Sequence, residues 1–214
     1  MTEISTHRRT IERVDKDRPP PRAVGATEAM EHVRGLLRHI GEDPDREGLR
    51  ETPRRVVSAL AEHFRGYGED PQDYLSRTFT DADGYSELVL LSDIELYSHC
   101  EHHMVPFVGK AHVAYIPDGR MVGLSKLARV VDVFAKRLQV QEKLTFQIAN
   151  AIHDALQPKG TAVILQCQHF CMCYRGVRKP GSWTTTSKLK GIFLQNAATR
   201  SELFTLIGSK PQVR

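Results

Sequence analysis

The sequence predicts an α+β domain, with helices at both ends and a small antiparallel sheet whose two strand pairs are separated by two further helices. Three observations carry that expectation. Apolar residues recur at helical spacing near the start, the middle and the end of the chain; stretches rich in Val, Ile, Leu and Tyr interrupt them; and those stretches fall in pairs. At 214 residues the chain suits one domain with an N-terminal extension.

Residues 1–22 are polar and end in Pro19, Pro20 and Pro21, so they bury too little apolar surface to offset ordering and are expected to form a flexible tail before a domain over 23–214. From Thr27, the residues Met30, Val33, Leu36, Leu37 and Ile40 make one helical face that Gly41 ends. Thr52 and Pro53 read as an N-cap and first turn, followed by Val56, Val57, Leu60 and Phe64, which places the N-terminal helices within 27–66. Residues 88–98 and 110–116 read as a long hairpin, with Cys100-Glu101-His102-His103 in its link. Ser125 is expected to cap a helix with the face Leu127, Val130, Val131, Phe134 and Leu138. A second helix follows with Leu144, Ile148, Ala151, Ile152 and Ala155, before Pro158 and Gly160. Residues 162–168 read as a strand, 183–194 as a broken one, and Thr199 with Glu202 as a capping box opening a C-terminal helix. The sheet-bearing part therefore spans 86–209.

A net charge of +4 with 26% charged residues is too mild for a nucleic-acid surface, yet it suits a pocket for a polyanionic small molecule. Four Cys do not make a disulfide framework, and the N-terminus has charges where a secretory signal needs an apolar run. A cytoplasmic protein is expected. No window approaches the roughly 20 apolar residues of a membrane span, so no membrane partner is expected.

Cys100 and His103 are spaced as Cys-x-x-His, and a second cluster, His169-Phe170-Cys171-Met172-Cys173, lies roughly 70 residues on. A thiolate and an imidazole suit zinc. On a strand Cys171 and Cys173 would share a face, so either is a possible third ligand. Three ligands leave a position for water, whose pKa then falls from about 15.7 to near 7, whereas four close the site as a folding staple. His102 and His169 beside the clusters are suited to proton transfer near neutral pH. His99 should point away from Cys100 by strand alternation and receives no role.

Over about residues 27–208 the chain resembles the GTP cyclohydrolase I family. The stretches that carry the resemblance are EGLRETPRRV (47–56), CEHHMVPFVGKAHVAYIP (100–117), GLSKLARVVDVFAKRLQVQEKLT (123–145), QHFCMCYRG (168–176) and TRSEL (199–203). The resemblance implies a tunnelling-fold subunit with a four-stranded antiparallel sheet. It also implies a homo-oligomeric barrel, commonly a decamer, with sites at subunit interfaces; unpaired edges of a four-stranded sheet fit that assembly.

By the same resemblance Cys100, His103 and Cys171 would hold Zn2+, with His102 and His169 as acid and base groups. Glu142 would accept guanine N–H hydrogens with help from Gln141, and Ser125 and Lys126 would meet ribose and phosphates. Arg129, Arg175 and Arg55, the last from a neighbouring subunit, resemble triphosphate contacts, a task that suits the planar guanidinium fork. Ser58 stands where some relatives have a basic residue, and Cys173 is not a ligand of the family pattern.

The implied reaction opens the five-membered ring of GTP at C8, releases formate and yields 7,8-dihydroneopterin triphosphate, an entry to folate and pterin biosynthesis. Two other readings compete with it. One is a non-catalytic, zinc-stabilised ring protein that binds a nucleotide and uses Cys173 as a fourth ligand. The other is a related tunnelling-fold enzyme acting on another purine or pterin, which the joint presence of Cys100, His103, Cys171 and Glu142 disfavours.

Overall fold

The computed structural model describes residues 24–80 and 84–209, so the expected tail over 1–22 lies outside the described residues. The chain divides into two compact units, residues 1–53 and 54–214. In the first, helix α1 (Ala26–His39) follows the expected apolar spacing. Its exit is made by Gly41 at φ 88°, a left-handed backbone that glycine adopts without strain. The loop after it is tied by Arg34 to Asp45 and by Arg46 to Glu42 at 2.8 Å.

Helix α2 (Thr52–His63) links the units; Thr52 is its first residue, and Pro53 sits in the first turn, where a missing N–H costs nothing. In the second unit a 3-10 turn at Arg65–Gly68 and the short α3 (Gln72–Leu75) precede β1 (Thr78–Phe79). The long strands β2 (Val89–Cys100) and β3 (Pro106–Ile116) form the expected hairpin, longer at the turn than the composition suggested. Then come β4 (Met121–Val122), α4 (Leu124–Ala135), β5 (Leu138–Gln139), α5 (Gln141–Leu156) and β6 (Gly160–His169). The chain continues through α6 (Phe170–Cys173), β7 (Thr184–Gly191), α7 (Ile192–Gln195) and α8 (Ala197–Gly208).

The main sheet has the order β5-β2-β3-β6-β7, and β1 with β4 makes a separate two-stranded ladder. β2, β3, β6 and β7 are antiparallel as expected, but β5 is a fifth strand that pairs parallel with the end of β2. Leu138, expected on the face of α4, belongs to it. The helix stops early because Arg137, 2% exposed, turns its Nε to the carbonyls of Val133 and Gly66, both at 3.1 Å. Two residues of strand are too short to leave a period in the sequence.

Two cap assignments and one strand boundary also change. Helix α4 starts at Leu124 with Gly123 as N-cap, so Ser125 stands exposed in the first turn and caps nothing. Helix α8 opens at Asn196, whose side chain accepts from the N–H groups of Ala198 and Thr199, in place of the Thr199/Glu202 box. The broken strand over 183–194 ends at Gly191, and residues 192–195 are helical.

α4 and α5 cover one face of the sheet, where Leu96, Phe107, Val113, Leu127, Val131, Leu144, Ile148 and Leu165 form the main core. On the other face Phe193 and Leu203 of α7 and α8 cover Ala114, Ile116, Ala162 and Ile164 at one end. That arrangement leaves the opposite end of the sheet, where β2 stops and β6 turns into α6, to carry the site.

The register there depends on Gly109, which pairs with Cys167 across β3 and β6. A Cβ on Gly109 would lie 1.9 Å from the Gln166 carbonyl oxygen and 2.7 Å from the Cys167 Cα. Backbone atoms cannot yield as a flexible side chain can. Gly109→Ala is therefore expected to lower unfolding stability by about 2 kcal/mol or more in urea titrations. Gly181→Ala, where a Cβ meets nothing within 4 Å, should leave the midpoint unchanged.

Candidate metal centre and its surroundings

Two strand ends and one helical turn build the site. Cys100 closes β2, and residues 101–103 turn the chain tightly enough that the N–H of Met104 reaches the Cys100 carbonyl at 2.8 Å. Met104 takes φ 54° at the bottom of that turn. The N–H of Glu101 bonds the Gln139 carbonyl at 3.0 Å, so β5 pins the turn from its other side. β3 then leaves antiparallel and pairs Phe107 with His169, the last residue of β6. Cys171, two residues on, arrives beside Cys100.

The ligand atoms of Cys100, His103 and Cys171 all lie within 4.8 Å of one another, and among the described residues this is the group that fits a metal. At bond lengths of about 2.3 Å for sulfur and 2.0–2.1 Å for nitrogen, tetrahedral zinc ligands stand about 3.5–3.8 Å apart, so small side-chain rotations would close the group on an ion. The chemistry also fits. Burial pushes the Cys171 thiol up, the facing Cys100 pushes it further, and the charge of Arg175 opposes both. Two thiols facing each other in this way are matched by a soft cation that favours their thiolate forms. Cys100 is buried, Cys171 half-buried and His103 exposed, so the group opens to solvent on the histidine side.

Cys173 does not join it. Residues 170–173 form a helical turn where a strand was expected, and residues two apart on a helix do not share a face. The Cys173 thiol instead donates to the His169 carbonyl at 3.2 Å.

His102 Nδ1 lies 3.8 Å from the Cys100 sulfur, and its ring stands edge-on to His103 with centroids 6.3 Å apart. His169 is half-buried, stacked on Phe107 with ring centroids 4.7 Å apart and planes 11° from parallel. Burial lowers its pKa, and the carboxylate of Glu142 acts in the opposite direction. Its Nε2 lies 2.8 Å from Gln141 Oε1. His99 packs on His63 at 4.7 Å and on Phe64 at 5.2 Å; burial is the main cause of its lowered pKa, helped by His63 and Lys136.

Glu142 is exposed at the start of α5, close enough for its charge to act on His169, and Arg175 is close enough to act on Cys171. Gln141 is 1% exposed, and its amide bonds groups inside the protein. Arg129 lies over the ring of Tyr74 at 5.6 Å. Ser125, Lys126 and Arg55 make no side-chain hydrogen bond or ion pair among the described residues. Phe107 and the Gln141 contact were not foreseen. Strand alternation from Pro106 would have aimed Phe107 inward, but nothing in the sequence marks its ring partner.

Comparison with known proteins bears on this arrangement directly. The family model described as GTP cyclohydrolase I matches residues 29–208. A protein named GTP cyclohydrolase 1 from Brucella abortus (strain S19) is 54% identical over 183 residues, 86% of each chain. One of the same name from Brucella suis (strain ATCC 23445 / NCTC 10510) is 50% identical over 206 residues, covering 96% of this chain and 94% of its own. Among solved structures, the crystal structure of the archaeosine synthase QueF-Like in the apo form matches 49% of this chain and 93% of its own, with 19% identity and a TM-score of 0.41. With Cys100, His103, Cys171 and the flanking histidines inside the matched span, the chain belongs to the GTP cyclohydrolase I family.

Proposed function

We propose that the chain is a zinc-dependent GTP cyclohydrolase that converts GTP and one net water to 7,8-dihydroneopterin triphosphate and formate. The observation that carries this is the convergence of Cys100, His103 and Cys171, with the rings of His102 and His169 beside them. A zinc ion held by those three side chains supplies Lewis acidity that makes water a nucleophile near neutral pH.

The chain's own residues then divide the work. Glu142 accepts two N–H hydrogens from guanine and orients the base. Lys126, Arg129, Arg175 and Arg55 of the partner subunit hold the triphosphate. In the first step water oxygen bonds to C8, a C8–N bond breaks, and His102 delivers the proton to the departing ring nitrogen. A second water cleaves the resulting formamide, and formate leaves. His169 and Ser125 move the protons that open the ribose. Rearrangement of the sugar and ring closure release one water, so two enter and one departs.

The same reading makes the subunit a tunnelling fold in a homo-oligomer whose ring closes the sheet edges, and a decamer is the size proposed. Along 89–98 the outer edge of β2 lacks a strand neighbour among the described residues, as does the outer edge of β7, and a ring of copies would cover both. A cytoplasmic setting and a step early in folate and pterin biosynthesis belong to this proposal, and no described helix is long and apolar enough to cross a membrane.

Incubation of the zinc-loaded protein with GTP should release formate and, after oxidation, yield a fluorescent neopterin; GTP binding with no formate would instead favour the non-catalytic ring protein. Cys171→Ala should lose bound zinc and lower turnover by at least about 100-fold. Cys173→Ala should keep one zinc per chain by elemental analysis, and loss of the metal from it would restore the closed four-ligand site.

A further inference from the structure

Gln141 is the first residue of α5, yet its side chain runs inward to the sheet. Its Nε2 lies 3.1 Å from the Leu165 carbonyl, 3.0 Å from the Thr184 carbonyl and 3.1 Å from Thr186 Oγ1. A carbonyl oxygen accepts and never donates, so the two backbone partners decide which end of the amide is nitrogen. The hydroxyls agree with that orientation. Thr145 Oγ1 donates to the Gln141 carbonyl at 2.7 Å, which uses its hydrogen, so Thr186 Oγ1 must donate across the 2.6 Å contact to Thr145. Thr186 then has only lone pairs left for the Gln141 amide. The amide shares its two hydrogens among three acceptors, and the hydroxyls run one way, from Thr186 to Thr145 and on to the Gln141 backbone carbonyl.

With the nitrogen end so determined, Oε1 is left facing His169 Nε2 at 2.8 Å and can only accept. His169 Nε2 therefore carries a hydrogen. In the neutral ring the lone pair is then on Nδ1, and the Phe107 stack holds the plane in which that lone pair lies.

We propose that Gln141 is a positioning residue that fixes His169 as its Nε2–H tautomer and so leaves Nδ1 as the ring atom with the free lone pair. The inference rests on the reading of His169 as an acid–base group, and it changes the part given to Gln141 from substrate contact to orienter of a side chain. Buried polar groups whose every hydrogen is assigned in one direction resist reorientation, since any flip leaves an unpaired donor facing a donor. The logic matches that by which metal-site and acid–base histidines are held through their second nitrogen.

The test reads the tautomer itself. Solid-state 15N spectra of the zinc-loaded full-length protein, with labelled histidine and the His169 signals assigned by their loss in His169→Gln, should show a protonated Nε2 and an unprotonated Nδ1. A protonated Nδ1 with bare Nε2 would overturn the proposal, whether or not the protein turns over GTP. Gln141→Met removes the acceptor while roughly preserving volume. It should mix the two tautomer signals and lower kcat at least about tenfold, with zinc content and KM for GTP within about twofold of wild type. Unchanged His169 signals and unchanged kcat in that variant would equally overturn it. Should Gln141→Met fail to fold, the wild-type spectrum still decides.

Discussion

The register of three antiparallel strands is the constraint on which the site depends. β2 ends at Cys100, β3 begins a few residues later, and β3 pairs Phe107 with His169 at the end of β6. Because hydrogen-bonded partners in a sheet are locked in pairs, one placement of β6 against β3 puts Cys171 next to Cys100. A slip of one residue would turn every side chain of β6 to the opposite face. That slip would expose Val163 and Leu165 and bury Gln166, so the hydrophobic core and the metal group select the same register. Fold stability and chemistry are coupled through a single ladder, and at Gly109 that ladder leaves no room for a Cβ.

The helices around the ladder act on its ends. Arg137 gathers Gly66, Val133 and Glu69 around a buried guanidinium, which ends α4 and releases the chain into β5. β5 in turn holds the 101–103 turn through Gln139. α5 begins right after β5, which puts Gln141 and Glu142 at the level of His169. A metal ligand pair, its neighbouring imidazoles and the carboxylate proposed for guanine are thus supplied by separate segments that meet at one end of the sheet.

Much of this was legible in the residues. α1, α4 and α5 carry apolar faces long enough to show their period, and the four long strands carry β-branched residues in runs bounded by turns. The pairing of Cys100 and His103 with the distant cluster was readable from residue type and motif, and the ligand atoms do converge. What escaped was short or nonlocal. β5 and α6 are too brief to show a period, and the end of α4 is set by Arg137 reaching back to Gly66. Asn196 outcompeted Thr199 as a cap because its side chain meets two N–H groups at once. The resemblance implied only that Gln141 assists Glu142 at guanine, and the positions of Leu165, Thr184 and Thr186 are what show its amide bonding inside the protein.

In the proposed site Cys100 at the end of β2, His103 in the turn after it and Cys171 in α6 hold one cation by two sulfurs and one nitrogen and leave its fourth corner to solvent. Zinc-edge X-ray absorption on the loaded, full-length protein measures that most directly. Two sulfur neighbours at about 2.3 Å, one imidazole nitrogen at about 2.0–2.1 Å and one further light atom that exchanges with solvent are expected. A shell of three sulfurs, or one with four protein ligands, would contradict this expectation.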